Sequence, residues 1–161
     1  MKRVWLRPLL VAAPLLGGCV GNTDEAVFVE MGLGTPSLQL TVGSLATKLD
    51  GSLQVSLHLG ANADATSQVT FESASIKDAA GTSELLAPLY LAATPAFPLA
   101  LAPETTLTVD LVVDGTQPPL EDADVTTLCA GDVRIGVVLR DSRAASATPL
   151  ASEAFRPTGC P

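Results

Sequence analysis

From residue 37 onward the apolar positions of this chain recur every second residue. Leu38, Leu40 and Val42 alternate with Gln39 and Thr41. Leu53, Val55, Leu57 and Leu59 alternate with Gln54, Ser56 and His58. Val69 and Phe71 alternate with Thr70 and Glu72; Leu107, Val109, Leu111 and Val113 with Thr106, Thr108 and Asp110; Val133, Ile135, Val137 and Leu139 with Arg134 and Arg140. A period of two belongs to a strand with one face buried, and the β-branched content of these runs suits a pleated surface. The apolar parity flips between Phe71 and Ile76, which predicts a bulge or a strand end there.

Turn residues punctuate the runs. Asp50-Gly51 predicts a tight hairpin between the first two runs. Ala80-Gly81-Thr82 separates Ile76 from Leu85, and Asp114-Gly115 ends the run from Leu107, with Pro118-Pro119 barring its continuation. Leu85 to Leu91 is apolar on both faces and reads as a buried strand or a short helix. Phe97, Leu99 and Leu101 alternate, but Pro95, Pro98 and Pro103 confine them to an edge or a loop. Residues 121 to 129 have room for one helical turn. This gives about seven to nine short strands, with no long amphipathic helix and no βαβ unit. The expected class is all-β, two antiparallel sheets packed face to face. The pattern resembles an immunoglobulin-like or fibronectin-like sandwich, with a closed barrel as the runner-up.

The first residues do not follow this pattern. Lys2, Arg3 and Arg7 precede an apolar stretch from Pro8 to Leu16, and small residues precede Cys19. This is the three-part pattern of a secretory signal peptide, and the apolar stretch is shorter than the roughly 20 residues a membrane span needs. Leu16-Gly17-Gly18-Cys19 resembles the lipobox of bacterial lipoproteins. The resemblance implies cleavage after Gly18, diacylglycerol on the Cys19 sulfur and acylation of the new amino terminus. It covers residues 1–19 only. Val20 follows the cysteine where an Asp would favour inner-membrane retention, so the outer membrane is the expected destination. The organisation read from the chain is a signal peptide over 1–18, a lipidated cysteine and tether over 19–35, and a sandwich over 36–161. Within the tether Val27, Val29 and Met31 alternate, so part of it is a candidate to pair with a sheet edge.

Charge and cysteine count sharpen this. The whole chain carries −8 at neutral pH with a pI of about 4.4, which argues against nucleic acid as a partner. Residues 1 to 18 hold three of the nine Lys and Arg and none of the seventeen Asp and Glu. The remaining 143 residues therefore carry −11. With Cys19 assigned to lipid, Cys129 and Cys160 are left, and an even pair in an exported protein reads as one disulfide. Such a bridge closes a loop of about 30 residues and stabilises by roughly 3–4 kcal/mol on the chain-entropy model.

Candidate chemistry is sparse. His58, the single histidine, falls on the polar face of its strand, and no group at a fixed offset is placed to orient it. Asn62-Ala-Asp64-Ala-Thr66 starts like a calcium loop but lacks the glycine at loop position six, and Glu72 comes one place early. Asp110, Asp114, Glu121, Asp122 and Asp124 crowd around one strand end and its loop. They are the weak calcium candidates, with a solvated acidic loop as the plainer reading. No nucleophile elbow, phosphate loop or dinucleotide fingerprint occurs. No catalytic residue and no cofactor is nominated.

Two functional classes follow. One is a non-enzymatic envelope lipoprotein, anchored in a membrane through Cys19 and acting structurally or through contact with another envelope protein. The other is a small envelope binding module, calcium-dependent through the acidic loops. The leader is testable by itself: Cys19→Ala is expected to release the protein to the soluble fraction or leave the precursor uncut. Fractionation and intact mass check this, and processing and localisation like wild type count against the lipobox.

Overall fold

The computed structural model describes residues 27–161. Cys19, the leader and the start of the tether lie outside the described residues. The described chain folds as a β-sandwich of two antiparallel five-stranded sheets. The strands are β1 (Glu30–Leu33), β2 (Ser37–Val42), β3 (Thr47–Leu59), β4 (Ser67–Asp78), β5 (Glu84–Leu86), β6 (Leu91–Thr94), β7 (Leu99–Leu101), β8 (Thr105–Val113), β9 (Val133–Asp141) and β10 (Thr148–Ala151), with one helix, α1 (Asp122–Cys129).

The first sheet runs β1-β3-β8-β6, with β2 also on β3. The second runs β10-β9-β4-β5, with β7 also on β4. Ser52 pairs with Ser37 on one side and Val112 on the other, so β1 and β2 share one edge of β3. Their registers differ by one residue across Gly34–Pro36, so the two are halves of a single edge line broken by a bulge. Pro36 sits at this break, where a missing N–H costs no ladder bond. In the same way β5 and β7 lie along one edge of β4. Counted by position, each sheet has four lines, which falls within the expected seven to nine strands. The first strand lies inside the stretch read as tether, and its pairing with β3 meets the expectation that part of that stretch joins the sheet edge.

The two inner faces supply the core. Leu53, Val55, Leu57 and Leu59 of β3 and Val109 and Leu111 of β8 face Val69 and Ile76 of β4 and Ile135, Val137 and Leu139 of β9, all buried. The bulge expected between Phe71 and Ile76 occurs between Phe71 and Ser73 against β9. It rotates the strand so that Ala74 and Ile76 take over the inward positions. Leu85 to Leu91 is neither one strand nor a helix. It ends β5, passes through Ala87–Tyr90 and enters β6 in the opposite sheet. Of the crossing residues Leu89 is buried, while Ala87, Pro88 and Tyr90 are exposed, so the apolar run is a connection with a single core anchor. The piece rich in proline forms β7, an edge strand, as its composition requires.

The Asp50-Gly51 hairpin is not formed. The turn between β2 and β3 lies at Gly43–Ala46, closed by the Gly43 N–H donating to the Ala46 carbonyl at 3.0 Å. Asp50 and Gly51 are interior to β3, opposite Gln39 and Leu38, and Gly51 is not among the positive-φ residues. Its lack of a side chain serves close approach instead. A Cβ there would sit 2.4 Å from the Ser37 carbonyl oxygen and 2.7 Å from Leu38 Cδ2. Gly51→Ala is therefore expected to destabilise the fold by about 2 kcal/mol or more, as overpacking against backbone does. Urea unfolding checks it, and an unchanged midpoint would show that β2 can move away freely.

Candidate functional site

The charged side chain buried among the described residues is Asp141, which the sequence reading passed over. The inward positions of β9 are Val133, Ile135, Val137 and Leu139, and the next in the same parity is Asp141, only 1% exposed. The Val29 N–H donates to its Oδ2 at 2.9 Å, and the Arg143 N–H donates to Oδ1 at 2.9 Å. The buried Ser67 hydroxyl also donates to Oδ1. One carboxylate thus joins the residue before β1, the first residue of β4 and the loop after β9. Burial pushes its pKa up, but the bonds from Ser67, Val29 and Arg143, with the Arg143 charge, outweigh burial and leave it below the ordinary Asp value. Arg143 is itself held by the Ala65 carbonyl and an ion pair with Asp64. So Asp64, met in the sequence as part of a failed calcium loop, has a structural partner.

The other end of the sandwich is closed by the C-terminal segment. Beyond β10, Phe155 pairs with Val133 of β9. The chain then crosses to the other sheet, where Leu40 N–H donates to the Thr158 carbonyl and Thr158 N–H to the Leu38 carbonyl. Gly159 passes so close to β2 that a Cβ would lie 2.0 Å from the Leu40 oxygen, and its φ is +74°. Cys160 is bonded to Cys129 at the end of α1, with Cα atoms 5.7 Å apart and a separation of 31 positions in sequence. The expected disulfide is thus present, and it holds a strap that ties the two sheets together. A shallow groove of about 490 Å³ lies beside the strap, bordered by Ser37, Gln39, Asp50, Ser52, Phe155 and Arg156. The Arg156 guanidinium is turned to the Cys129 carbonyl at 2.7 Å.

The five acidic candidates for calcium have separate local roles. Asp110 lies on the outer face of β8 and accepts from Gln54 Nε2 at 2.8 Å. Asp114 accepts the Thr116 N–H at 2.7 Å within its own turn, and that bond holds its pKa below the usual value. Glu121 is the N-cap of α1, and Asp124 accepts the Glu121 N–H at 3.2 Å. Asp122 and Asp124 occupy the first turn, where negative charge offsets the helix dipole. The helix runs two turns where one was expected. Among the described residues no three His, Cys, Asp or Glu side chains gather in a metal-binding group. His58 lies on the outer face of β3, with Nδ1 2.8 Å from Thr106 Oγ1. Tyr90 is exposed at the sheet crossing, and its backbone N–H donates to Gln117 Oε1. This arrangement locks chain segments to one another; among the nominated residues it brings together Cys129 with Cys160 and, through the α1 capping contacts, Glu121 with Asp124.

No protein-family model matches this chain. No curated protein matches it either. One solved structure, described as the X-ray structure of Northeast Structural Genomics Consortium target SoR45, is similar at a TM-score of 0.42 and 10% identity. The likeness covers 81% of this chain and 86% of that one. It is too loose to carry an argument about fold or function.

Asp141 makes stability depend on acid. A group whose folded pKa lies below its unfolded value stabilises the fold above the unfolded value, near 3.8. That contribution fades as pH drops through the lower folded value. Asp141→Asn is expected to cost about 1–3 kcal/mol at neutral pH, as loss of charge-assisted bonds to buried donors does, and to flatten the decline of stability below pH 4. Urea midpoints across pH check both; a variant as stable as wild type at neutral pH would remove the carboxylate from this role.

Proposed function

We propose that this chain is a lipid-anchored domain of the bacterial cell envelope that acts by contact with another envelope protein and does no bond-making of its own. The observation that carries the reading is the distribution of the three cysteines. Cys129 and Cys160 are joined, a pairing suited to an oxidising compartment. The third, Cys19, stands at the end of the lipobox-like Leu16-Gly17-Gly18-Cys19. Two or three acyl chains give stable membrane anchoring. No helix among the described residues is long and apolar enough to cross a membrane, so that helical route is not offered by the domain itself. The outer membrane is the proposed location, since Val20 follows the cysteine. A calcium-dependent role has no comparable support, because among the described residues no three acidic side chains gather in one group.

Growth of a strain expressing this protein with a clickable palmitate analogue tests the reading. Wild type is expected to carry the label and Cys19→Ala to carry none, and an unlabelled wild-type polypeptide overturns the anchor. Crosslinking in intact cells is then expected to join the anchored domain to a second envelope protein.

A further inference from the structure

We infer that the Asp141 end of the sandwich faces the membrane, with Val27 and Phe28 resting in the lipid headgroup interface and the α1 end turned away. The inference rests on the reading of Cys19 as the lipidated residue. Its first support is where the described chain begins. Val29 is the tenth residue after Cys19, so even a fully extended connection reaches only about 35 Å. Val29 is buried and clamped to Asp141, which fixes the residues just before it at that end of the sandwich. The opposite end is far away: the 13 residues of β3 span about 40 Å at the usual strand rise.

The second support is the surface presented there. Phe28 is 53% exposed and Val27 is also exposed, both immediately outside the clamp. A bilayer interface accepts such side chains. Charge does not choose between the ends: Asp24 and Glu25 immediately precede Val27 in the sequence, Glu30, Asp64 and Glu104 add to them against Arg143, and residues 114–132 are acidic as well. The tether length and the exposed apolar pair carry the orientation. The α1 end has one apolar tip of its own, Leu45, which is 99% exposed in the β2–β3 turn. It is the natural rival contact and the right comparison site.

The test uses the full acylated protein in vesicles of phosphatidylethanolamine and phosphatidylglycerol. An environment-sensitive fluorophore is placed at Phe28→Cys, at Ala65→Cys or at Leu45→Cys, and spin-labelled lipid is added as quencher. Loss of most of the emission from the Phe28 label, partial loss at Ala65 and none at Leu45 is expected. Ala65 serves as the second membrane-side position should labelling at Phe28 disturb the clamp. Acylated protein that floats with the vesicles but shows quenching at Leu45, or at neither end, overturns the orientation and leaves the anchor standing. Protein whose mass shows no acyl chains overturns both.

Discussion

A buried carboxylate shared by three segments governs how this sandwich is assembled. Asp141 sits at a position that alternation would assign to an apolar side chain, and it is covered almost completely. A charge so placed is tolerated only when donors surround it. Here the donors come from the residue before β1, the start of β4 and the loop after β9. The first of them, Val29, lies 112 positions before Asp141 in sequence. The carboxylate therefore sets where the amino-terminal line of one sheet meets the end of the other.

The same side of the sandwich is secured again at its far end by the strap. Edge strands expose unpaired backbone groups that invite other chains. The strap covers the outer edge of β2 with two backbone bonds and is held down by the Cys129–Cys160 bridge. On the opposite side, the chain passes from β5 to β6 and back to β7, so the two sheets are linked there by covalent connection. Both open sides of the sandwich are thus laced, while the polar outer faces stay free.

Much of the fold was legible because burial of one face imposes a period of two. The runs at Leu53, Leu107 and Val133 became β3, β8 and β9, and the parity flip after Phe71 became a bulge. The cysteine pair was legible from count and compartment. The Asp50-Gly51 signal misled because such dipeptides favour a turn only when φ is free to be positive, whereas here the inward parity of Leu49 and Leu53 carried the strand straight through. Gly51 was kept small by the approach of β2, a contact absent from the local sequence. Asp141 was missed although a signal existed: the inward series of β9, continued one more step, lands on it. Reading it that way required knowing that the strand did not stop at Leu139.

The sequence by itself determined the all-β class, most of the apolar residues that face inward, the disulfide partners and an amino-terminal stretch resembling an export leader. These follow from local periodicity, from composition and from counting, none of which needs a second segment to be in place. Only the tertiary structure decided which strands share an edge, where the β2–β3 turn falls, and that Asp141, Ser67 and Val29 meet. Those outcomes depend on backbone groups and side chains brought together from distant parts of the chain, and their energies exist only once both sheets have closed.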